Sequence, residues 1–167
     1  MNRVQPEPVL IGREHDDDGR LVALRYDSTP PPPVAGKVWL VAIDPSDNAL
    51  RALTHAAEHA REMSCVALHL VHVVPWLARE AADAELAHRA LGATAQARAM
   101  LDSTGLAWRL HVAMGDPAER ILECARALSV DGLIIGCRGL NLVESLLFGS
   151  VTEKVIHHAR VPVTVVP

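Results

Sequence analysis

Short apolar segments alternate with helical segments along this chain from residue 37 onward. The apolar segments are rich in β-branched residues and too short for buried helices, which indicates strands. They are Val38–Ile43, Val66–Val74, Ala107–Ala113, Leu133–Ile135 and Val163–Val166. Alternating strands and helices form right-handed βαβ units, and nearly continuous apolar strands fit a sheet that is covered on both sides. We therefore predict an α/β fold with a doubly wound, five-stranded parallel sheet and helices on both faces.

The helices between these strands carry recognisable boundary signals. Ser46 is the expected N-cap of the first helix, and Asp116 followed by Pro117 predicts the start of another. The alanine-rich stretch from Leu77 to Leu101 contains almost no helix-breaking residue, so we predict one long helix there. Its single weak point is Gly92.

Four small residues follow the fourth strand in two pairs. Gly136 and Gly139 come first, and Gly149 and Ser150 follow after nine further residues. Ser150 is the expected N-cap of the last helix, with Glu153 as its capping-box partner. Glycine permits a close backbone approach that a Cβ would block, and a helix N-terminus offers unpaired N–H groups. The segment therefore predicts an anion site of phosphate size, although glycine pairs in turns are often only turns.

The spacing of these glycines excludes two common phosphate motifs. No Gly-Lys-Ser/Thr follows, as a P-loop requires, and no third glycine follows Gly139 at the spacing of the dinucleotide fingerprint. A dinucleotide-dependent oxidoreductase is therefore disfavoured. Between the two pairs, Leu142–Phe148 is predicted to form a short helical turn.

The first 36 residues differ in composition from the rest. Two apolar stretches, Val9–Arg13 and Leu21–Tyr26, flank Asp16–Gly19, and Asp-Gly between such stretches predicts a β-hairpin. A lone hairpin is marginally stable, so it must pack on the main domain or on a partner subunit. Pro30–Pro33 then predicts a stiff spacer. We expect an extension over residues 1–36 and the main domain over residues 37–167.

Composition argues against several functions. The formal net charge is −4, and the aromatic residues are one Tyr, one Phe and three Trp, so we expect no nucleic-acid partner. No leader pattern opens the chain and no apolar run approaches the ~18 residues of a membrane span, so we expect a cytoplasmic protein without a membrane partner. Cys65, Cys124 and Cys137 have no metal-binding spacing and are expected to be reduced thiols.

A longer pattern connects these observations. Gly-x-x-Gly-x9-Gly-Ser, then Val-Thr-Glu-Lys-Val-Ile and Val-Pro-Val-Thr-Val-Val, resembles the C-terminal signature of the universal stress protein family, in its ATP-binding branch. Ile43–Ser46, the Leu-Val-His-Val strand and Gly115–Pro117 extend the resemblance, which covers residues 37–167. It implies an adenine-nucleotide alpha-hydrolase-like fold, a homodimer, and ATP as the ligand, with Mg²⁺ accompanying the triphosphate.

The resemblance also implies roles for ten residues. The adenosine part of ATP is expected to contact Asp44, and the adenine slot to be lined by Ile43 and Val73. The ribose and phosphates are expected to be surrounded by Gly136, Arg138 and Gly139. Phosphate oxygens are expected to bind backbone N–H and hydroxyl groups of Gly149, Ser150, Val151 and Thr152. The last strand, Val163–Val166, resembles the dimer edge of the family, and a bare apolar edge favours association in any case.

Simpler roles stay open for several of these side chains. Asp44 could only cap the following helix. Ser150 and Thr152 could be caps alone, although a residue can both cap a helix and bind phosphate. Arg138 could be a solvated loop residue, although a guanidinium at this place can pair with phosphate in bidentate fashion.

Three further residues have alternative interpretations outside the glycine segment. We place His69 and His72 on one face of a buried strand and interpret them as hydrogen-bonded core residues in preference to a metal pair. Trp76 could lie beside the adenine or be a packing residue.

Three functions follow from these patterns. The leading hypothesis is an ATP-binding regulatory or stress-response protein that acts as a nucleotide-dependent homodimeric switch. Hydrolysis should be slow, because no lysine or arginine finger with a positioned base is recognisable. The alternatives are a protein-interaction module that binds unknown partners through residues 1–36 and has a vestigial nucleotide site, and an enzyme, either a weak ATPase or a redox sensor through Cys137.

Overall fold

The computed structural model describes residues 6–63, 66–139 and 147–167. The strands are β1 (Val9–His15), β2 (Leu21–Asp27), β3 (Lys37–Ala42), β4 (Val66–Val74), β5 (Trp108–Met114), β6 (Gly132–Gly136) and β7 (Val163–Val166). The helices are α1 (Asp47–Glu62), α2 (Arg79–Ala93), α3 (Ala95–Thr104), α4 (Pro117–Ala127) and α5 (Ser150–His158). Cys65 and most of the predicted turn at Leu142–Phe148 lie outside the described residues.

All seven strands belong to one sheet with the order β1-β2-β5-β4-β3-β6-β7. The five strands from β5 to β7 are parallel to one another, which confirms the predicted doubly wound sheet. Strand order reverses at β3, which lies between β4 and β6, and ligands of such sheets bind beyond the carboxyl ends of the strands at this switch. One core contains residues of α1, α2 and α3, and the core on the other face contains residues of α4 and α5.

The N-terminal hairpin is part of this sheet, so it packs on the main domain of its own chain. Strand β2 pairs with β5 in antiparallel fashion, and its Leu24 and Tyr26 are buried in the core on the α2 face. The Asp27 carboxylate accepts two hydrogen bonds from the Arg109 guanidinium, at 2.7 and 2.8 Å. The sheet therefore has seven strands, two more than the parallel sheet predicted for the main domain.

The long helix predicted from Leu77 to Leu101 is wrong, because the chain is broken into α2 and α3 at Thr94. Thr94 has φ −101° and ψ 2°, outside the helical range. Its buried hydroxyl donates to the Ala90 carbonyl oxygen at 2.8 Å. Threonine hydroxyls compete with the helix in this way, and Gly92 just before it weakens the helix further.

Two of the three predicted N-caps are confirmed. The Ser46 hydroxyl accepts from the Ala49 N–H at 3.2 Å, and the Asp116 carboxylate accepts from the Glu119 N–H at 3.1 Å. The cap predicted at Ser150 is wrong: Gly149 is the N-cap of α5, without a side-chain hydrogen bond, and Ser150 is the first helical residue. Within the described residues, no helix is both long and apolar enough to cross a membrane.

Candidate functional site

A cavity of about 600 Å³ opens beyond the carboxyl ends of β3, β4 and β6. Its volume lies within the range of about 300–1,000 Å³ that is typical of small-molecule sites. All ten residues expected from the sequence line it: Ile43, Asp44, Val73, Gly136, Arg138, Gly139, Gly149, Ser150, Val151 and Thr152. The reversal of strand order at β3 brings together residues that are more than 100 positions apart in the chain, such as Asp44 and Gly149.

Asp44 lies two residues beyond the end of β3, in the turn that leads to α1. Its Oδ1 accepts from the Ser46 N–H at 2.9 Å and also from the Ser46 hydroxyl. Since the Ser46 hydroxyl caps α1, Asp44 supports the cap and is not the cap itself. Its Oδ2 faces Gly139, where a Cβ would lie only 2.7 Å away. The carboxylate is therefore fixed at Oδ1 and lies against the glycine turn at Oδ2.

Gly136 and Gly149, one from each pair, permit other segments of backbone to approach closely. A Cβ on Gly136 would lie 2.8 Å from the Asn48 carbonyl carbon, so β6 and the first turn of α1 contact each other through backbone. A Cβ on Gly149 would lie 3.4 Å from the Arg138 Cα, and the Gly149 N–H donates to the Cys137 carbonyl oxygen at 2.8 Å. The two glycine pairs are thus neighbours in space.

The N-terminus of α5 provides hydrogen-bond donors to the cavity. In the described part of the chain, the first bond of this helix runs from the Glu153 N–H to the Gly149 carbonyl oxygen, so the N–H groups of Ser150 and Val151 have no intrahelical acceptor. The buried Thr152 hydroxyl donates to the Gly136 carbonyl oxygen at 2.8 Å, which holds α5 against β6. These donors and the positive end of the helix dipole favour an anion.

Arg138 brings a positive charge to the same wall of the cavity. Its Nε is sealed from solvent and has no hydrogen-bond partner among the described residues. A guanidinium on the cavity wall can pair with an anionic ligand there. The guanidinium and the α5 donors therefore fit a phosphate group.

The histidines of β4 point to opposite faces, so our placement of both on one face is wrong. Side chains of residues three apart on a strand point to opposite faces of the sheet, because direction alternates at every residue. His69 contacts His111 at 2.9 Å between Nδ1 and Nε2, and His72 Nδ1 donates to the Ile43 carbonyl oxygen at 2.8 Å. The interpretation as hydrogen-bonded core residues is confirmed. Burial lowers the pKa of His72, an effect that the Ile43 hydrogen bond and the Asp44 charge oppose.

Trp76 lies outside the cavity lining and is 55% exposed. The guanidinium carbons of Arg20 and Arg120 lie 5.7 and 5.9 Å from its ring centroid, so the indole connects the hairpin turn to α4. This contact supports a packing role for Trp76. Cys137 is partly buried and accepts a long contact of 3.7 Å from the Asn48 amide.

The sequence analysis missed several residues of the cavity wall. They lie on β4 or on helices that the fold brings over the site, namely His72, Arg89, Ala93, Pro117 and Ile121. The helical residues carry no local signal, because an apolar or charged residue on an amphipathic helix looks the same wherever that helix packs. Among the described residues, no group of three or more His, Cys, Asp or Glu side chains could hold a metal ion.

Comparison with known proteins identifies relatives of this chain. Residues 37–167 match the universal stress protein family. Universal stress protein MJ0531 of Methanocaldococcus jannaschii is 31% identical over 138 residues, which cover 78% of this chain and 81% of that protein. Stress response protein NhaX of Bacillus subtilis is 39% identical over 72 residues, which span 43% of each chain. The universal stress protein from Archaeoglobus fulgidus in complex with dAMP superimposes with a TM-score of 0.63 at 25% identity, covering 81% of this chain and all of that one (100%).

Proposed function

Because the chain belongs to the universal stress protein family, we propose that it is an ATP-binding regulatory protein of the stress response, with the nucleotide in the cavity at the ends of β3, β4 and β6. One observation carries the proposal. The N–H groups of Ser150 and Val151, which have no acceptor among the described residues, and the Arg138 guanidinium lie on the wall of the cavity together with the Asp44 carboxylate and apolar side chains. A related protein of the family binds dAMP.

In the proposed complex, each part of the nucleotide contacts a different part of the cavity wall. The phosphates bind the N–H groups of Ser150 and Val151, and Arg138 pairs with one of them. The ribose hydroxyls donate to Asp44, whose Oδ2 has no donor among the described residues. The adenine lies against Ile43 and Val73, whose side chains supply apolar contact.

ATP brings Mg²⁺ to such a site with the triphosphate. Asp44 is the only carboxylate among the described residues that line the cavity, so we expect the phosphates and water to supply most ligands of the ion. A single carboxylate that already accepts two hydrogen bonds is also a poor base for water. We therefore expect tight binding with slow hydrolysis, consistent with a nucleotide-dependent switch.

The same proposal includes a homodimer through β7. This strand ends the sheet, pairs only with β6 among the described strands, and contributes the half-exposed Val163, Val165 and Val166. An open apolar edge of this kind favours pairing with a second copy. Native mass spectrometry of the purified protein should show a dimer, and a monomer at micromolar concentration would contradict this part of the proposal.

Calorimetry with ATP tests the nucleotide site. We expect binding by the natural chain and a loss of at least about tenfold, or 1.4 kcal/mol, for Gly149→Val, because its side chain enters the space beside Arg138. Gly92→Ala is the matched control, since a Cβ at Gly92 meets nothing within 4 Å. No binding of millimolar ATP by the natural chain would refute the proposal.

A second candidate, the protein-interaction module, is favoured by the outer edge of the hairpin. Among the described strands, β1 pairs only with β2, and it exposes three consecutive aliphatic residues, Val9, Leu10 and Ile11. If the hairpin binds a partner, Leu10→Lys should abolish that complex and leave ATP binding unchanged. An unaltered set of co-purifying proteins would count against this candidate.

A further inference from the structure

His72 is a polar side chain on the inner wall of the cavity that the proposed binding scheme does not use. It is buried, lines the cavity, and contacts the chain immediately before Asp44. A carbonyl oxygen only accepts hydrogen bonds, so the contact of 2.8 Å to Ile43 requires the proton on His72 Nδ1. Burial disfavours the charged ring, which leaves Nε2 as an acceptor.

This hydrogen bond acts on the peptide unit that joins Ile43 to Asp44. The Ile43 N–H donates to the Val71 carbonyl oxygen at 2.9 Å, so both polar groups of Ile43 are bonded to β4. Beyond this point the chain leaves the sheet, and the next residue is Asp44. Hydrogen bonds at both its N–H and its carbonyl therefore fix Ile43 against β4, which restricts the direction of the chain at Asp44.

The Asp44 carboxylate has little freedom of its own. Its Oδ1 is bound to Ser46 at the start of α1, while its Oδ2 lies against Gly139 on the opposite side of the strand switch. A rotation of the Ile43–Asp44 peptide would therefore either stretch the bonds to Ser46 or drive Oδ2 into the Gly139 backbone. Only one orientation of that peptide satisfies both contacts.

We infer that His72 is a positioning residue for the nucleotide site, which acts through the Ile43 carbonyl to aim the Asp44 carboxylate at the ligand. The inference rests on the proposed function, because it concerns how Asp44 reaches a ribose hydroxyl. Without the imidazole donor, the Ile43 carbonyl loses its partner and the turn can adopt other directions. The loss should appear in nucleotide affinity more than in global stability.

Three substitutions of His72 distinguish the roles of its two ring nitrogens. In asparagine the amide nitrogen stands at the same number of bonds from Cα as Nδ1, so His72→Asn can keep the donor to Ile43. His72→Gln places its amide one bond further out, and His72→Leu has no donor. We expect His72→Asn to bind ATP within about threefold of the natural chain, and the other two variants to lose about tenfold.

His69→Leu is the matched control because His69 lies on the same strand, is equally buried, and points to the other face. It removes a buried hydrogen bond to His111 but does not line the cavity, so it should lower the thermal midpoint and leave ATP affinity unchanged. Equal losses of affinity in His69→Leu and His72→Leu would show a general structural effect and overturn the inference.

A double-mutant cycle tests whether His72 acts through Asp44. In an Asp44→Ala background, His72→Leu should cost no further affinity, since the group that it positions is gone. Fully additive losses would overturn the inference, as would natural affinity in a folded His72→Leu variant. If His72→Leu does not fold, the difference between His72→Asn and His72→Gln decides the question. Absence of ATP binding by the natural chain would instead refute the proposed function.

Discussion

Replacing Gly136 or Gly139 with alanine should affect two different properties. Gly136→Ala should mainly lower folding stability, whereas Gly139→Ala should mainly weaken ATP binding. A Cβ at Gly136 would lie 2.8 Å from the carbonyl carbon of Asn48, and a Cβ at Gly139 would lie 2.7 Å from Asp44 Oδ2. The two overlaps are almost equal in size. The first neighbour is helix backbone, whereas the second is the end of a side chain.

Because backbone adjoins Gly136 and a side chain adjoins Gly139, the two substitutions should cost different amounts of folding stability. In Gly136→Ala, β6 and α1 must move apart, and overpacking of this kind costs about 1–3 kcal/mol of folding stability. In Gly139→Ala, only the end of the Asp44 side chain must rotate away, which weakens its hydrogen bonds to Ser46, so we expect a stability cost of about 1 kcal/mol. The rotated carboxylate no longer faces the ribose, and we expect a loss of about tenfold in ATP affinity, or 1.4 kcal/mol.

Urea denaturation and calorimetry measure the two effects separately. Gly136→Ala should lower the unfolding midpoint clearly, and Gly139→Ala should lower it little while weakening ATP binding. Gly92→Ala, with open space around its Cβ, should leave ATP binding unchanged and raise the unfolding midpoint slightly, because alanine stabilises a helix interior by about 0.5–1 kcal/mol relative to glycine. The reasoning fails if Gly139→Ala binds ATP like the natural chain, or if Gly136→Ala is as stable as Gly92→Ala.

Two further predictions concern the part of the sheet next to the hairpin. Burial lowers the pKa of His69 to about 4 and that of His111 to about 3. In the unfolded chain both histidines have the ordinary pKa of 6.5, so below this pH the unfolded state binds more protons than the folded state. Stability should therefore fall as the pH drops from 7 to 5, by about 2 kcal/mol for each ring, and the fall should become much smaller when both are replaced by Gln. Equal denaturation midpoints of the natural chain at the two pH values would contradict this. Asp27→Asn should cost about 2 kcal/mol, because it removes the charge that pairs with Arg109 and holds the hairpin on β5, and an unchanged urea midpoint would show that the ion pair does not contribute.

Features encoded by neighbouring residues were predictable from the sequence. The strands of the parallel sheet, the caps at Ser46 and Asp116, and the hairpin follow from local patterns, and the structure has all of them. The Gly136 loop and Asp44 could be placed at carboxyl ends of strands, where a doubly wound sheet brings them together. The parity of His69 and His72 was also available from strand geometry and was overlooked.

Features decided by tertiary contacts were not predictable in this way. The hairpin packs on β5 through an ion pair between residues that are 82 positions apart, and a local pattern does not identify that partner. The break at Thr94 depends on a buried hydroxyl, and the start of α5 at Ser150 depends on how closely Gly149 approaches Arg138. His72 was assigned to the core because its role depends on the carbonyl that it meets across the strand.

An NMR titration of isotope-labelled protein with ATP tests the central claim most directly, because it observes the backbone amides of Ser150 and Val151 individually. The account predicts that both amide signals shift strongly and saturably with ATP, and hardly with adenosine, which lacks phosphates. Ile43 and Val73 should respond to both ligands. If the amides of α5 keep their positions while ATP is bound, the phosphates lie elsewhere and the account is contradicted.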